Sequence, residues 1–252
     1  MYEKQSNSDI DYDCDITWNL FREGKTKGVF QLESNLGKSW SKKLKPTNME
    51  ELSALIALIR PGCLKAISDG KSMTQRYIDR KRGIEEVTYL HESLEEILKP
   101  TYGVLVYQEQ SMRIAQKIAG FNLQEALRKA IGKKKAGLMA QVKDSFLEGA
   151  ANEGIVTKAI AEEIFSWIEK SSRYSFNKSH AVAYAMCSYW SAYFKAHNTE
   201  EFFLSYLYYA NEKQDPHEEI YELVSEAKLF DIEIKTPNIT NFSEKFNSFN
   251  GN

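Results

Sequence analysis

The run Arg-Tyr-Ser-Phe-Asn-Lys-Ser-His at 173–180 sets cations, serine hydroxyls, an amide and an imidazole directly ahead of the apolar-aromatic stretch AVAYAMCSYW. Two chemistries suit such a set: a nucleophilic Ser179–His180 pair, or a group of donors that holds a ligand. Neighbours on a helix point away from each other, so Ser179 and His180 cannot share a proton as a catalytic pair does. A helix start, with its free amide donors, suits an anion instead. The run therefore reads as a ligand holder. His91, His197 and His217 are far apart in the sequence, and no carboxylate constellation selects one of them. His91 opens a helix and His217 follows Pro216, which suits caps or surface positions. No HExxH or metal-spaced His/Cys pattern occurs, and AIGKKKAG around Gly132 lacks the spacing of a P-loop.

Asp11, Asp13 and Asp15 alternate, and on a strand they would share one face, as paired carboxylates of two-metal phosphoryl-transfer sites do. Nothing apolar beside them could bury the charge, so they are expected to be solvated. The basic residues are more telling. Across 60–82 seven Lys and Arg (60, 65, 71, 76, 80, 81, 82) face only Asp69 and Asp79; across 128–143 six face no acid; and Lys170, Arg173 and Lys178 also stand without one in 170–178. Acidic zones at 85–96, 148–169 and 200–233 bring the formal charge back to -2. Phosphate responds to local potential rather than to the total, so the segregation points to a polyanionic ligand.

The elements that must position these residues are mostly helices. A chain of 252 residues with 42% hydrophobic content can fill one large core or two modest ones, and its five prolines favour helix. TWNLFREGKTKGVFQLES predicts a short helix, a turn and a strand-like GVFQL. NMEELSALIALIR predicts a helix capped by Asn48 and buried on most sides, stopped by RPG at 60–62. MTQRYIDRKRG reads as a helix wet on its basic side, HESLEEIL as a short helix ending before Pro100, and VLVYQ at 104–108 as a strand or an extended entry. Helices follow in MRIAQKIAG, in LQEALRKAIGKKK, and in a pair joined near Gly154; one or two more span 179–210, and another lies in DPHEEIYELVSEAKLFD. The aromatics at 184, 189, 190, 193 and 194 have the spacing of a helix contact face and are assigned to core rather than base stacking. Residues 1–15 read as an acidic leader or linker, 16–236 as the helical domain, with lobes at 16–120 and 121–236, and 237–252 as a polar tail. Three dispersed cysteines (14, 63, 187) suit a reducing cytoplasm; no secretory signal is expected at MYEKQSNSDIDYD, nor any run of about 18 apolar residues to cross a membrane.

Six ordered stretches, TKGVFQLES, LSALIALIRPG, QRYIDRKRG, YLHESLEEILKPTYGVLVYQEQSMRIAQKIAGF, LRKAIGKKK and YSFNKSHAVAYAMCSYWSAYFKAH, resemble the alpha subunit of bacterial DNA polymerase III, a C-family replicative polymerase. The likeness runs over roughly residues 15–240 and is similar to the fingers region that follows the palm. It implies a mainly α fingers fold acting in DNA replication, with primer-template DNA and a deoxynucleoside triphosphate as ligands. It assigns Arg128, Lys129, Lys133, Asn177, Lys178, Ser179 and His180 to the triphosphate, and Arg60, Gln108, Glu109, Gln110, Lys134 and Lys135 to DNA or the cleft wall. Magnesium would be held by carboxylates of a palm, which this segment does not match, so the chain alone is expected to be inactive as a nucleotidyltransferase and to need a palm-bearing partner. A split or truncated polymerase of a phage or mobile element would supply such a segment. Two departures stand out: RPG is followed by Cys63 and Leu64 where relatives carry Pro-Leu, and LQEALRKAIGKK is two residues shorter than the usual stretch, with Lys129 for an arginine. Lysine does not reproduce the arginine fork. The other readings open to the sequence are a non-catalytic DNA- or nucleotide-binding module and a helical scaffold that has drifted from its ancestor.

Overall fold

A computed structural model describes residues 10–68, 70–120, 127, 136–236 and 246. The chain divides into two compact units, one of Met1–Met49 with Tyr184–Asn252, the other of Glu50–Ala183. The described residues are mainly helical, as the sequence predicts.

In the first unit, α1 (Asp15–Glu23) and α2 (Asn35–Leu44) precede the later helices. From Tyr184 the unit contains the rest of α10 (Lys178–His197), then α11 (Thr199–Tyr209) and α12 (Pro216–Ala227). Helix starts follow short polar caps: Ser34 accepts from the Gly37 amide, and Asp215, ahead of Pro216, accepts from Glu218. Trp18, Phe21 and Tyr189 pack as one aromatic group, with Trp18 and Tyr189 centroids 4.8 Å apart. Within the aromatic row of α10, Tyr189 is fully buried; Tyr184, Trp190 and Tyr193 are half-buried and Phe194 is exposed. The 179–210 stretch forms two helices.

GVFQL is not a strand. Gly28 and Gln31 both have positive φ (74° and 63°), and the Val29 and Leu32 amides each donate three residues back, giving consecutive turns. Two left-handed residues within four cannot continue a pleat. Asp11, Asp13 and Asp15 are exposed and lie in a turn and the first turn of α1, so no strand face unites them.

The acids of α12 are not a solvated face. Glu219, Glu222 and Glu226 share one side of it and meet lysines from three segments. Lys27 binds Glu219 and Glu222 at 2.8 and 2.6 Å, Lys38 binds Glu226 at 2.8 Å, and fully buried Lys195 also pairs with Glu226. Lys195 further donates to the Lys25 and Lys27 carbonyls at 3.1 and 2.8 Å, so its charge is fully satisfied. Burial pushes the Lys195 ammonium down to about 8, with Glu226 pulling it back. Burial pushes Glu226 up, but Lys195 and Lys38 outweigh it and hold the carboxyl below its ordinary value.

The second unit opens with α3 (Met49–Leu58), whose residues from Glu51 to Leu58 are all buried. Then come α4 (Pro61–Lys65), a two-residue antiparallel pair β1 (Ile67–Ser68) and β2 (Lys71–Ser72), and α5 (Met73–Lys81). The short α6 (Glu95–Leu98), α7 (Gln108–Ala119), α8 (Ala136–Glu153) and α9 (Lys158–Ser171) enclose the main core. Ile114 and Ile118 of α7, Val142 and Phe146 of α8, and Ile164, Phe165 and Ile168 of α9 recur at helical spacing within it. Only a residue without a Cβ fits at Gly149 of α8, because an added Cβ would lie 2.1 Å from the Ala119 carbonyl oxygen.

The basic side of α5 is not wet. Lys71 binds Asp79 and Glu85, Arg76 and Arg80 bind Glu85, and Lys81 binds Glu51. Glu85 lies at the next turn and Glu51 on α3, both outside the window in which basic residues cluster; Asp79 is inside it. Counting Lys and Arg over 60–82 therefore overstates the positive charge there, and Lys65 and Arg82 are its exposed cations.

Two outcomes are expected. Gly149→Ala gains about 1 kcal/mol of helix propensity but meets backbone that cannot yield, so denaturant titration should show a net loss of about 1–3 kcal/mol. Because Glu226 has a folded value below its ordinary 4.5, the unfolded chain takes up the proton first. The pair's contribution is thus present above about pH 4.5 and is lost as pH falls through the folded value. Glu226→Gln should cost about 3–5 kcal/mol near neutrality and flatten the acid limb of a stability–pH curve; an unchanged limb would contradict the assignment.

Candidate functional site

The site is built outward from a buried glutamine. Gln110, in the first turn of α7, accepts from the Val106 and Tyr107 amides at 2.9 and 3.0 Å. Its amide nitrogen donates to the Ile97 carbonyl and to the Thr101 hydroxyl at 3.2 and 2.7 Å. Thr101 in turn bonds the Leu98 and Val104 carbonyls. Residues 97–107 are thereby fixed without a sheet: residues 104–106 form no strand, Tyr107 is extended with a single bridge, and Gln108 already begins α7. The helix before this segment ends at Leu98, with Pro100 in a 3-10 turn.

That fixed edge receives the 174–180 run. The Phe176 amide donates to Val106 at 3.1 Å and the Gln108 amide donates to Phe176 at 2.9 Å, a parallel bridge between Tyr107 and Phe176. Asn177 then caps α10, its Oδ1 accepting from the His180 amide at 2.8 Å. Glu109 serves the same helix start from α7: Oε2 accepts from the Lys178 amide at 2.9 Å and Oε1 from the Asn177 side chain at 2.7 Å. An internal carboxylate therefore already occupies part of the anion-attracting helix end that the sequence suggested as a phosphate seat.

Arg60 and Cys63, on either side of the Pro-Gly that opens α4, pack on the same run. Arg60 donates to the Ala57 and Tyr174 carbonyls at 2.9 and 3.0 Å and lays its guanidinium 4.0 Å from the centre of the Phe176 ring. His180 stands edge-on to the same ring, with centroids 5.2 Å apart. Cys63 fills the buried place where relatives are expected to carry proline, its thiol 3.8 Å from the Tyr174 carbonyl; burial pushes that thiol up, against Arg60. Lys178 reaches Glu50 at 2.7 Å and lies 5.5 Å from the Tyr107 ring centre. Burial, followed by the charges of Glu50 and Glu109, pushes the Tyr107 phenol well above its ordinary range.

Arg60, Gln108, Glu109, Gln110, Asn177, Lys178, Ser179 and His180 thus come together within one unit, although more than a hundred residues separate Arg60 from Asn177. Asn177, Ser179 and His180 face solvent, Arg60, Gln108, Glu109 and Lys178 are half-buried, and Gln110 is internal. Arg128, Lys129, Lys133, Lys134 and Lys135 lie outside the described residues. Glu50, Tyr107 and Phe176 were not singled out by the sequence. An acid at a helix start carries no local signal of a partner 128 residues away.

Among the described residues no three His, Cys, Asp or Glu side chains group as a metal site. The two carboxylates present here, Glu50 and Glu109, are engaged by Lys178 and by the start of α10. They do not form a donor set for magnesium. Nor is any helix among the described residues long and apolar enough to cross a membrane.

The region thus joins exposed donors and half-buried cations at one helix start to a fixed non-helical edge. The family described as the bacterial DNA polymerase III alpha subunit finger domain matches residues 2–154. DNA polymerase III subunit alpha of Aquifex aeolicus is 50% identical over 224 residues, covering 88% of this chain and 18% of that protein. Its counterpart in Helicobacter pylori strain J99 is 38% identical over 249 residues (96% of this chain, 20% of that protein). In Escherichia coli K12 the figures are 40% over 237 residues, with 91% and 20% covered. The chain belongs to the DNA polymerase III alpha subunit family, in its finger-domain region, and spans about a fifth of the length of these relatives.

Glu109→Ala removes both acceptors from the start of α10. It should cost about 1–2 kcal/mol by denaturant titration, and hydrogen exchange should speed up at the Lys178–His180 amides. Unchanged exchange there would mean that Glu109 does not hold the run in place.

Proposed function

We propose that this chain is the fingers part of a DNA polymerase III alpha-type enzyme, holding the incoming deoxynucleoside triphosphate and the primer-template end during DNA replication in the cytoplasm. The observation that carries this reading is the convergence of Lys178, Asn177, Ser179 and His180 with Arg60 at one exposed helix start, locked by Glu109 and the Tyr107–Phe176 bridge. Fixed donors of this kind stabilise phosphate charge without rearranging. Arg128, Lys129 and Lys133 would complete the triphosphate contacts, with Lys134 and Lys135 on the DNA backbone, in the zone of 128–143 that has six bases and no acid. Gln108 and Gln110 would shape the cleft wall, Gln110 from behind. Bond formation would fall to a palm, in the same polypeptide or a partner chain, which would bring the magnesium carboxylates that Glu50 and Glu109 cannot supply while so engaged. Its activity as a nucleotidyltransferase therefore belongs to that assembly.

A second reading, a binding module that works without a palm, makes the same contacts and differs in needing no partner. Titrating the chain with labelled primer-template at two salt concentrations, with and without deoxynucleoside triphosphate and a palm-bearing chain, tests both. Binding should weaken with salt, and substituting Lys133–Lys135 by neutral residues should flatten the log–log slope by about 0.9 for each phosphate that no longer meets a lysine. Lys178→Ala should weaken triphosphate binding in particular, and Arg60→Ala the binding of DNA. Full binding without a palm would favour the second reading; no binding with or without it would overturn both.

A further inference from the structure

Lys178 is the cation best placed to meet a phosphate at the start of α10, yet it is occupied. Its ammonium lies 2.7 Å from a Glu50 oxygen, and both side chains are more than a third exposed (39% and 36%), so solvent and solutes reach the pair. The bond is therefore one that a stronger anion can take over at small cost, since an exposed ion pair contributes little. Beside it stands a polar group with its hydrogen bond unmade. Tyr107 is fully buried, the Lys178 ammonium lies over its ring, and its hydroxyl has no partner. A buried donor with no acceptor is costly, and such groups generally have an acceptor in some functional state. Glu109 cannot serve, because both its oxygens are held at the start of α10. The Glu50 carboxylate can: its one tie is to the same Lys178 ammonium that lies 5.5 Å from the centre of the Tyr107 ring, and after burial its charge weighs most in raising that phenol.

We propose that Glu50 is the exchangeable counter-ion of this site: it holds the Lys178 ammonium until a polyphosphate oxygen replaces it, and the released carboxylate then accepts a hydrogen bond from the buried Tyr107 hydroxyl. This rests on the reading of the site as a triphosphate holder and adds a gate to it. No proton or covalent bond is transferred; one ion pair is exchanged for another, and an unsatisfied donor gains its acceptor. A monovalent anion brings too little charge to displace Glu50, so the exchange favours polyphosphates over single phosphates. Without a ligand, Glu50 keeps Lys178 from unselective anion binding.

The test is calorimetric titration of the 252-residue chain with inorganic triphosphate, orthophosphate and a deoxynucleoside triphosphate. Glu50→Gln should tighten triphosphate binding about two- to fivefold, the range equivalent to one exposed ion pair, and narrow the preference over orthophosphate. Tyr107→Phe removes a buried donor without an acceptor, so it should raise the melting temperature of the free chain and yet weaken triphosphate binding. That weakening should disappear in the Glu50→Gln background, where no carboxylate needs the hydroxyl. Glu50→Asp, which draws the carboxylate back by one methylene, should act in the same direction as Glu50→Gln and covers the case in which the glutamine variant folds poorly. Triphosphate binding that Lys178→Met abolishes but Glu50→Gln leaves unchanged or weakens would overturn the role of Glu50 and leave the triphosphate reading standing. Equal effects of Tyr107→Phe in both backgrounds would overturn the exchange. No binding by wild type or either Glu50 variant, with or without a palm-bearing chain, would overturn both readings.

Discussion

Everything at the candidate site hangs on the amide of Gln110. One side chain, buried and using both its oxygen and its nitrogen, satisfies two backbone donors and two acceptors across residues 97–107. Such a stretch would otherwise need a sheet, because buried backbone groups cannot be left unpaired. With that edge rigid, a single parallel bridge suffices to dock Phe176, and the rest follows by short reach. Asn177 and Glu109 cap α10, Arg60 lies over the Phe176 ring, and Lys178 projects beside Tyr107. The exposed donors are mounted on a helix end and a fixed loop rather than on a free one, which is what a site that must hold charge in a set geometry requires.

Charge plays opposite parts in the two units. In the first, lysines and glutamates are consumed as structural material: Lys27, Lys38 and Lys195 tie residues 25–27, α2 and α10 to one face of α12. Buried pairs of this kind add little net stability over a hydrophobic replacement, but they punish any arrangement that separates the partners. In the second unit the α5 cations are neutralised by Asp79, Glu85 and Glu51, while the pair at Lys178 is left open to solvent. Among the described residues of that unit, the α5 cations are thus spent on internal acids, whereas the Lys178–Glu50 pair at the start of α10 stays within reach of solutes. A diffuse basic surface would attract phosphate everywhere and position it nowhere.

The sequence by itself determined the class of fold, because helical periodicity, capping residues and scarce proline are local properties. Asp215 and Gly120 mark helix ends as their types require, and Asn48 precedes α3, whereas α2 after Ser34 was not read from the sequence. The ordered motifs also marked Arg60, Gln108–Gln110 and Asn177–His180 as parts of one site. What they could not convey was the pairing of charges. Lys178 with Glu50, Lys81 with Glu51 and Lys195 with Glu226 join residues 30 to 128 positions apart, and a window that counts lysines sees neither acid nor burial. The same limit explains GVFQL, whose apolar pattern suits a strand while Gly28 and Gln31 take left-handed conformations that only the packed chain imposes. Periodicity records what each segment can bury; which group it is buried against, and so whether a cation is free, paired or exchangeable, is decided by tertiary contact alone.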